Sequence, residues 1–462
     1  MLHIYNSAIK QKAIFTPIIP GKVRLYVCGM TVYDYCHIGH GRLFVVFDMV
    51  ARYLRFSGYE VTYVRNITDI DDKIIHRAAE NGESIEAITE RFIKATEEDE
   101  RALGVLPPDI APRATAYVPQ IVALIQTLLD KKYAYIAANG DVYYSVPQFA
   151  DYGKFAHQTL EKLRHGARVD ILEDKHDPLD FVLWKLAKPG EPTWDSPWGK
   201  GRPGWHSECS AMSAECLGKT IDIHGGGLDL VFPHHQNEIA QSEAAFDCHF
   251  VNTWMHMGYV QINSEKMSKS LHNFFTIREV LEKYDAETVR YFMLASHYRS
   301  PINYSAENLE SAKAGLARLY LSVRGLPEVE PTQTTAGEAF TAQFHTAMED
   351  DFNTPLALSV LFEMVREINT QRDAQNISAA VSIAGVLKKL SGIFGILQQD
   401  PETFLQADIA QQDQEKIAQL VTARNEARAN KEWEKADQAR KALLEMGIVL
   451  EDTAQGTTLR KG

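Results

Sequence analysis

The opening segment of the chain alternates short apolar runs with stretches of helical spacing. Val23-Arg-Leu-Tyr-Val-Cys28 is β-branched, aromatic and short, the pattern of a buried strand. It runs into a glycine-bearing turn. Leu43, Val46, Phe47, Val50 and Leu54 then recur at three- and four-residue spacing, which predicts a helix. A second strand is expected after Gly58, over 60–67. Strand, helix, strand in that order predicts a parallel pair joined by a right-handed crossover. The turn then falls at the C-terminal end of the first strand, where open α/β sheets place their ligands.

From 71 to 202 the pattern is mixed, with helices expected over 84–100 and 118–131 and strands over 134–136 and 142–146. The stretch 188–205, dense in Pro, Gly and Trp, reads as an ordered loop. A strand over 220–224 restores the α/β pattern, so the middle block reads as an insertion in a sheet domain. After Tyr304 the periodicity is helical, over 309–323, 340–348, 355–368 and 377–394. A Thr/Gly/Pro/Glu-rich separator occupies 327–338, and a last unit from about 408 carries a charged helix expected over 414–446. No internal repeat is visible.

A chain of 462 residues needs several cores. Its 45% hydrophobic and 24% charged content is that of a globular protein. No apolar run approaches the ~18–20 residues that span a bilayer, so no membrane-crossing helix is expected. The first residues lack a signal-peptide layout, so a cytoplasmic location is the expectation. Five cysteines, Cys28, Cys36, Cys209, Cys216 and Cys248, make no disulfide framework and leave metal binding or plain burial open. Forty-eight basic against sixty-one acidic residues give a net charge of −13, which excludes binding of nucleic acid through the whole surface. Any RNA contact must come from local patches.

Two motifs change this picture. His37-Ile38-Gly39-His40 lies at the expected start of the first helix, where free N–H groups and the macrodipole favour phosphate. Its histidines share one face, and Gly39 lets a nucleotide approach the backbone. Lys266-Met267-Ser268-Lys269-Ser270 places two lysines three apart, suited to charge building on a departing pyrophosphate. Either motif alone is more often plain polar surface; both together, in this order and on these elements, are not explained by chance. A second constellation comprises Cys28, Cys209, His234 and Glu238, two thiolates, an imidazole and a carboxylate that would make a tetrahedral zinc set. A helix starting near Pro233 would put His234 and Glu238 on one face. Spacing alone fits two buried cysteines and a surface His/Glu pair equally well.

The two signatures resemble those of class I aminoacyl-tRNA synthetases. Over nearly the whole chain the resemblance is to the cysteinyl-tRNA synthetases, carried by Tyr26-Val-Cys-Gly-Met-Thr-Val-Tyr-Asp34, Tyr63-Val-Arg-Asn-Ile-Thr-Asp-Ile-Asp-Asp-Lys73, Gly201-Arg-Pro-Gly-Trp-His-Ser-Glu-Cys-Ser210, Asp222-Ile-His-Gly-Gly-Gly-Leu-Asp229 and Phe232-Pro-His-His235. It implies a Rossmann-like parallel-sheet catalytic domain with an insertion, followed by an α-helical bundle and a small C-terminal domain. The implied divisions are 1–110 and 201–250 for the catalytic halves, 111–200 for the insertion, 251–310 for the stem-contact region with the lysine loop, 311–400 for a tRNA-binding bundle and 401–462 for anticodon recognition.

The activity implied is ATP-dependent activation of L-cysteine and its transfer to tRNA(Cys) by a monomer. Zinc, bound by Cys28, Cys209, His234 and Glu238, would select the substrate thiolate against serine without an editing site. Magnesium would accompany ATP. His37, His40, Lys266 and Lys269 are the implied catalytic residues. Gly39, His224, Gly225, Gly226, Asp229 and Lys269 would bind ATP, with Gly227 completing the glycine run. Cys28, Thr68 and Trp205 would line the cysteine pocket, with His206 helping to close it. Trp433 and Asp437 would read the anticodon by stacking and edge contacts, although a charged helix with Trp433 packed inward has the same pattern. The chain departs from the family at Gln236, His272 and Leu459. Rivals with a similar catalytic half are a ligase joining cysteine to an amino sugar and an inactive zinc- and RNA-binding relative.

Overall fold

The computed structural model describes residues 1–159, 162, 174–262, 265–266, 274–327, 335–406, 414–446, 448–453 and 456–461. The chain forms two compact units. Unit 1 comprises Met1–Glu310, Ala342–Leu358 and Ile393–Gly395; unit 2 comprises Ser311–Thr341, Ser359–Gly392 and Ile396–Gly462.

Unit 1 opens with an antiparallel hairpin, β1 (His3–Asn6) and β2 (Gln11–Ile14). The predicted strand–helix–strand follows as β3 (Lys22–Val27), α1 (Ile38–Phe56) and β4 (Glu60–Arg65), with β3 and β4 parallel. Val45, Val46, Phe47, Met49, Val50 and Leu54 of α1 have no exposed surface, so this helix is core on nearly every side. Helices α2 (Asp72–Asn81), α3 (Ile85–Ala102) and α4 (Val118–Asp130) come next. The inserted block is a four-stranded antiparallel sheet of β5 (Ala134–Ile136), β6 (Val142–Tyr144), β7 (Phe181–Leu186) and β8 (Gly201–Pro203) in that order.

Strand β8 corrects the expectation of a loop over all of 188–205. Trp194 and Gly201 exchange two backbone hydrogen bonds of 2.8 and 3.0 Å, closing the loop on itself. The residues beyond are thereby delivered to the free edge of β7, and Trp205 begins α5 (Trp205–Leu217). The sheet resumes with β9 (Ile221–Gly227), then α6 (Gln236–Phe246) and β10 (Val251–Met257). The four parallel strands stand in the order β10-β9-β3-β4. Strand β9 outruns its predicted end because β10 pairs with it through its glycines, as far as Gly227 opposite Met257. Beyond β10, β11 (Val260–Ile262) pairs antiparallel with β12 (Glu265–Lys266) and parallel with β13 (Ile302–Asn303).

The predicted helical stretches lie in Ala306–Val323, Thr335–Glu349, Thr354–Asp373 and Ile377–Phe394. The last is long and apolar enough to cross a membrane by length and composition, contrary to the expectation from the sequence. Half of it is buried, with Leu387 and Leu390 wholly enclosed. In unit 2, Leu316, Leu319, Tyr320, Leu361, Met364 and Ile368 are likewise fully enclosed.

The charged helix expected over 414–446 is two helices, Gln414–Ala429 and Trp433–Glu445. The break falls at Lys431, which has φ 60°, a left-handed turn conformation that ends a helix. Folding back lets Ile417 and Leu443 share a core with Ile448 and Leu450. The latter two lie on an antiparallel hairpin, Ile448–Thr453 and Gly456–Lys461, that the periodicity did not disclose.

Candidate catalytic and metal-binding site

The turn after β3 is held against the end of β4. Gly29 N–H donates to Asn66 Oδ1 at 2.8 Å, and a Cβ at Gly29 would overlap the Asn66 carbonyl oxygen. Thr68, 2% exposed, donates its N–H to the Met30 carbonyl and accepts from Val32 N–H, both at 3.2 Å. This fixes where α1 starts. His37 is its N-cap, and the Nδ1 atoms of His37 and His40 each accept the other residue's backbone N–H at 3.3 Å. The rings stack at 3.6 Å and 15°. Once Nδ1 is an acceptor, a neutral imidazole carries its proton on Nε2, so both rings are set as Nε2–H donors. The first turn of α1 holds no acidic residue, leaving the positive end of the helix uncancelled from within.

The downstream flank of the lysine signature meets this end. Ile38 N–H donates to the Phe275 carbonyl and Ile277 N–H to that of Cys36, both at 2.9 Å. Lys266 lies on β12, opposite Gln261. Met267, Ser268, Lys269, Ser270 and His272 lie outside the described residues.

Behind this turn four separate elements converge. Cys28 follows β3, Cys209 is on α5, His234 is in the single turn Val231–His235, and Glu238 is in the first turn of α6. Their donor atoms all lie within 4.8 Å of one another, and all four residues are buried. Cys28 Sγ stands 4.0 Å from Cys209 Sγ and 3.6 Å from Glu238 Oε1, while His234 Nε2 is 3.0 Å from that same oxygen. Two thiolates ~2.3 Å from a tetrahedral zinc are about 3.8 Å apart, so the donors fit such an ion by number, chemistry and separation.

Charge in the cluster is strongly coupled. Burial pushes the Cys28 thiol well up, and the hydrogen bond from Cys28 draws Cys209 down to about 6. Burial disfavours a charged His234, but Glu238 and Cys209 together outweigh it and hold the ring up at about 10. Burial likewise opposes the Glu238 carboxylate, and His224 and His234 together bring it down to about 2. The ligand candidates have outer partners of the kind that orient metal sites. His206 Nδ1 meets His234 Nδ1 at 2.9 Å, and His224 Nε2 meets Glu238 Oε2 at 2.9 Å. Burial holds His206 well below the usual histidine range. Trp205, 39% exposed, lies with its ring 4.2 Å from that of His234.

The expected adenosine cradle divides. Gly227 and the exposed Asp229 stand at the open end of β9. His224 is wholly enclosed, stacked on Trp254 at 4.5 Å, and its imidazole is given over to Glu238. Gly225 and Gly226 lie against the rings of Phe47 and His235, where a Cβ would collide. In unit 2, Trp433 is 61% exposed at the first position of its helix, with Asp437 exposed one turn on, so the inward-packed alternative for Trp433 does not hold. Gln236 is fully buried, its Oε1 accepting Ala156 N–H at 3.3 Å, and Leu459 pairs opposite Leu450 in the C-terminal hairpin.

Three residues escaped the sequence reading. His235 sits with its Nε2 3.5 Å from Cys28 Sγ, and with Cys28, His224 and Glu238 it forms a second, overlapping donor set. His256 Nε2 meets His235 Nδ1 at 2.8 Å and passes the contact to Ser7 Oγ, also at 2.8 Å. Glu208 is enclosed beside Thr68 and Cys209, and burial raises its carboxyl well above the usual range. The Pro-His-His doublet was the available signal, but i+3 and i+4 both face Glu238 on a helix and spacing cannot choose between them.

Comparison with known proteins adds lineage to this geometry. Residues 14–314 match the family model of tRNA synthetases class I (C) catalytic domain, residues 343–398 a DALR domain, and residues 414–460 a cysteinyl-tRNA ligase anticodon binding domain. The cysteine–tRNA ligase of Coxiella burnetii (strain Dugway 5J108-111) is 59% identical over 460 residues, covering 100% of both chains. That of Pseudomonas fluorescens (strain SBW25) is 60% identical over 461 residues, covering 100% of this chain and 99% of the relative. Among solved structures, Mycobacterium tuberculosis methionyl-tRNA synthetase bound by methionyl-adenylate superposes with a TM-score of 0.61 at 14% identity, over 85% of this chain and 95% of its own.

Proposed function

The chain belongs to the cysteinyl-tRNA synthetase family of class I, and from that premise we propose how its own residues divide the work. The enzyme is a ligase that activates cysteine with ATP and loads it onto tRNA. The cysteine carboxylate attacks the α-phosphorus of ATP in line, a P–O bond forms, and pyrophosphate leaves with the cleaved pair. His37 and His40 donate Nε2–H to the α-phosphate oxygens, and Lys266 and Lys269 hold the charge on the departing pyrophosphate. Magnesium accompanies the ATP phosphates. Gly39, Gly227 and Asp229 border the nucleotide, the last toward its ribose, while Gly225 and Gly226 let β9 pack closely beneath it. The terminal ribose hydroxyl of tRNA(Cys) then attacks the adenylate carbonyl and AMP departs.

Cys28, Cys209, His234 and Glu238 hold zinc, while Thr68 and Trp205 enclose the substrate side of that cage. When bound there, zinc supplies a soft Lewis acid that favours a thiolate over the harder serine hydroxyl. The observation that carries this reading is the convergence of four buried donors, Cys28 among them on the turn that runs from β3 to the histidine-capped start of α1. The domain boundaries expected from the sequence serve as the division of labour, with Trp433 and Asp437 at the anticodon. Catalytic and RNA-reading parts in one chain suit a monomer, and five free cysteines suit a reducing cytoplasm. The anticodon-binding match counts against the amino-sugar ligase.

The test is transfer of labelled cysteine to bulk tRNA, run beside serine. Charging with cysteine alone is expected. Cysteine-dependent exchange of pyrophosphate into ATP without charging would replace tRNA by a small acceptor, and silence in both would end the reading.

A further inference from the structure

Arg42 lies two residues beyond His40 on α1 and has no exposed surface. Its guanidinium reaches five main-chain carbonyls. Nη1 donates to Gly258 at 2.7 Å and Tyr259 at 3.0 Å; Nη2 donates to Ser300 at 2.6 Å and, more loosely, to His297 and Tyr298 at 3.3 Å each. These carbonyls belong to two segments. Gly258 and Tyr259 join β10 to β11 and form the root of the hairpin whose second strand ends at Lys266, where the lysine signature begins. Residues 297–300 lead into β13, which pairs with β11.

The same junction is sewn by backbone hydrogen bonds, Gly258 N–H to Tyr298 at 2.9 Å and Ile302 N–H to Tyr259 at 3.0 Å. It is also sterically tight. A Cβ at Gly258 would stand 2.5 Å from the Ser300 carbonyl atoms and 2.7 Å from the Arg299 oxygen.

Burial draws the Arg42 guanidinium down to about 10, still protonated at neutral pH. Among the described residues no carboxylate pairs with it, and its Nε lacks a hydrogen-bond partner. A buried cation balanced by carbonyl dipoles alone is a costly way to fill space, and an apolar side chain of similar volume packs at lower cost. What an apolar chain lacks is a planar fork that fixes two segments at once.

We propose that Arg42 is a positioning residue for adenylate formation, holding the root of the lysine-signature hairpin at a fixed distance from the histidine-bearing end of α1. This rests on the roles assigned above to His37, His40 and the lysine signature. The effect is specific to the chemical step, because the zinc cage and the cysteine pocket are built from other elements.

The test uses full-length, zinc-loaded protein carrying Arg42→Met, Arg42→Lys or Gly258→Ala. Single-turnover adenylate formation is measured at saturating ATP and cysteine, alongside zinc content and the KM for cysteine. The rate constant is expected to fall about 100-fold in Arg42→Met, the scale set by a displacement of ~1 Å between reacting groups. A smaller fall is expected in Arg42→Lys, with zinc content and cysteine KM unchanged in both. Gly258→Ala, which wedges the same junction and leaves Arg42 in place, is expected to give the same split. If Arg42→Met does not fold, the other two variants carry the same expectation. An unchanged rate constant in the folded variants overturns the proposal. So does a parallel loss of rate, cysteine KM and zinc, which marks a merely structural residue. Lys269→Ala run beside them separates the two levels: an undiminished rate there removes the reading of the lysine signature itself.

Discussion

His234 and His235 are neighbours in sequence and differ in charge, one favoured as a cation and the other kept neutral. Glu238 stands 3.0 Å from one ring and 4.0 Å from the other, and the nearer is held up at about 10 while burial drives the farther well below the histidine range. Glu238 and Cys209 favour the charge on the nearer ring, whereas the farther one is enclosed among other histidines that oppose it. At this scale the zinc assignment is most directly tested. Cys209→Ser exchanges a thiolate for a hydroxyl of nearly the same volume, so packing is kept while the soft donor is lost. Zinc measured by metal analysis is expected to fall from stoichiometric to trace, and pyrophosphate exchange is expected to lose its preference for cysteine over serine. Stoichiometric zinc in that variant would remove Cys209 from the ligand set.

At the scale of elements, α1 has two tasks at one end. His37 caps the helix through Nδ1, which leaves its Nε2–H for the phosphate contact proposed above. Asparagine is also a good N-cap but presents no equivalent donor on the far side. His37→Asn is therefore expected to leave the melting temperature close to wild type and to slow single-turnover adenylate formation by about 10²–10³-fold, the usual loss for one transition-state donor. A variant that melts early and still forms adenylate at the normal rate would make His37 a cap alone. Much of α1 was legible in the sequence, since the spacing of Leu43 to Leu54 predicted it and the His-x-x-His pattern marked its start. The reciprocal capping was not, because it depends on the φ of −92° and ψ of 166° at His37 rather than on residue type.

At the scale of the whole molecule, the buried histidines make stability depend on pH. Burial, with His224 adding to it, lowers His256 to about 3, so it stays neutral in the folded protein, whereas in the unfolded chain it titrates near ~6.5. Between those values the unfolded state binds the extra proton, so stability rises with pH. The contribution is complete above about 6.5 and is lost as pH falls toward 3, at about 1.4 kcal/mol per pH unit. Urea melts between pH 6.5 and 5, above the carboxylate range, are expected to show this slope. His256→Gln is expected to flatten it by that amount while lowering stability throughout. An equal slope in the variant would assign the acid sensitivity to other groups.

The sequence by itself determined the elements and the lineage. Hydrophobic periodicity is local, so strands such as β3 and β4 and helices such as Ile377–Phe394 were readable from spacing alone. The motifs named the family and, through it, the donors proposed for zinc. Where the reading failed, the deciding contacts were distant. Residues 201–203 became a strand because the edge of β7 was free, and the helix expected over 414–446 broke so that Ile417 and Leu443 could share a core with a hairpin. Only the tertiary structure decided that Cys28, Cys209, His234 and Glu238 meet, that His224 turns inward to Glu238, and that Arg42 clasps segments more than two hundred residues away. Each of those contacts joins elements whose sequences carry no record of one another. Their approach is set by how sheet and helices pack, and that follows from the whole chain at once.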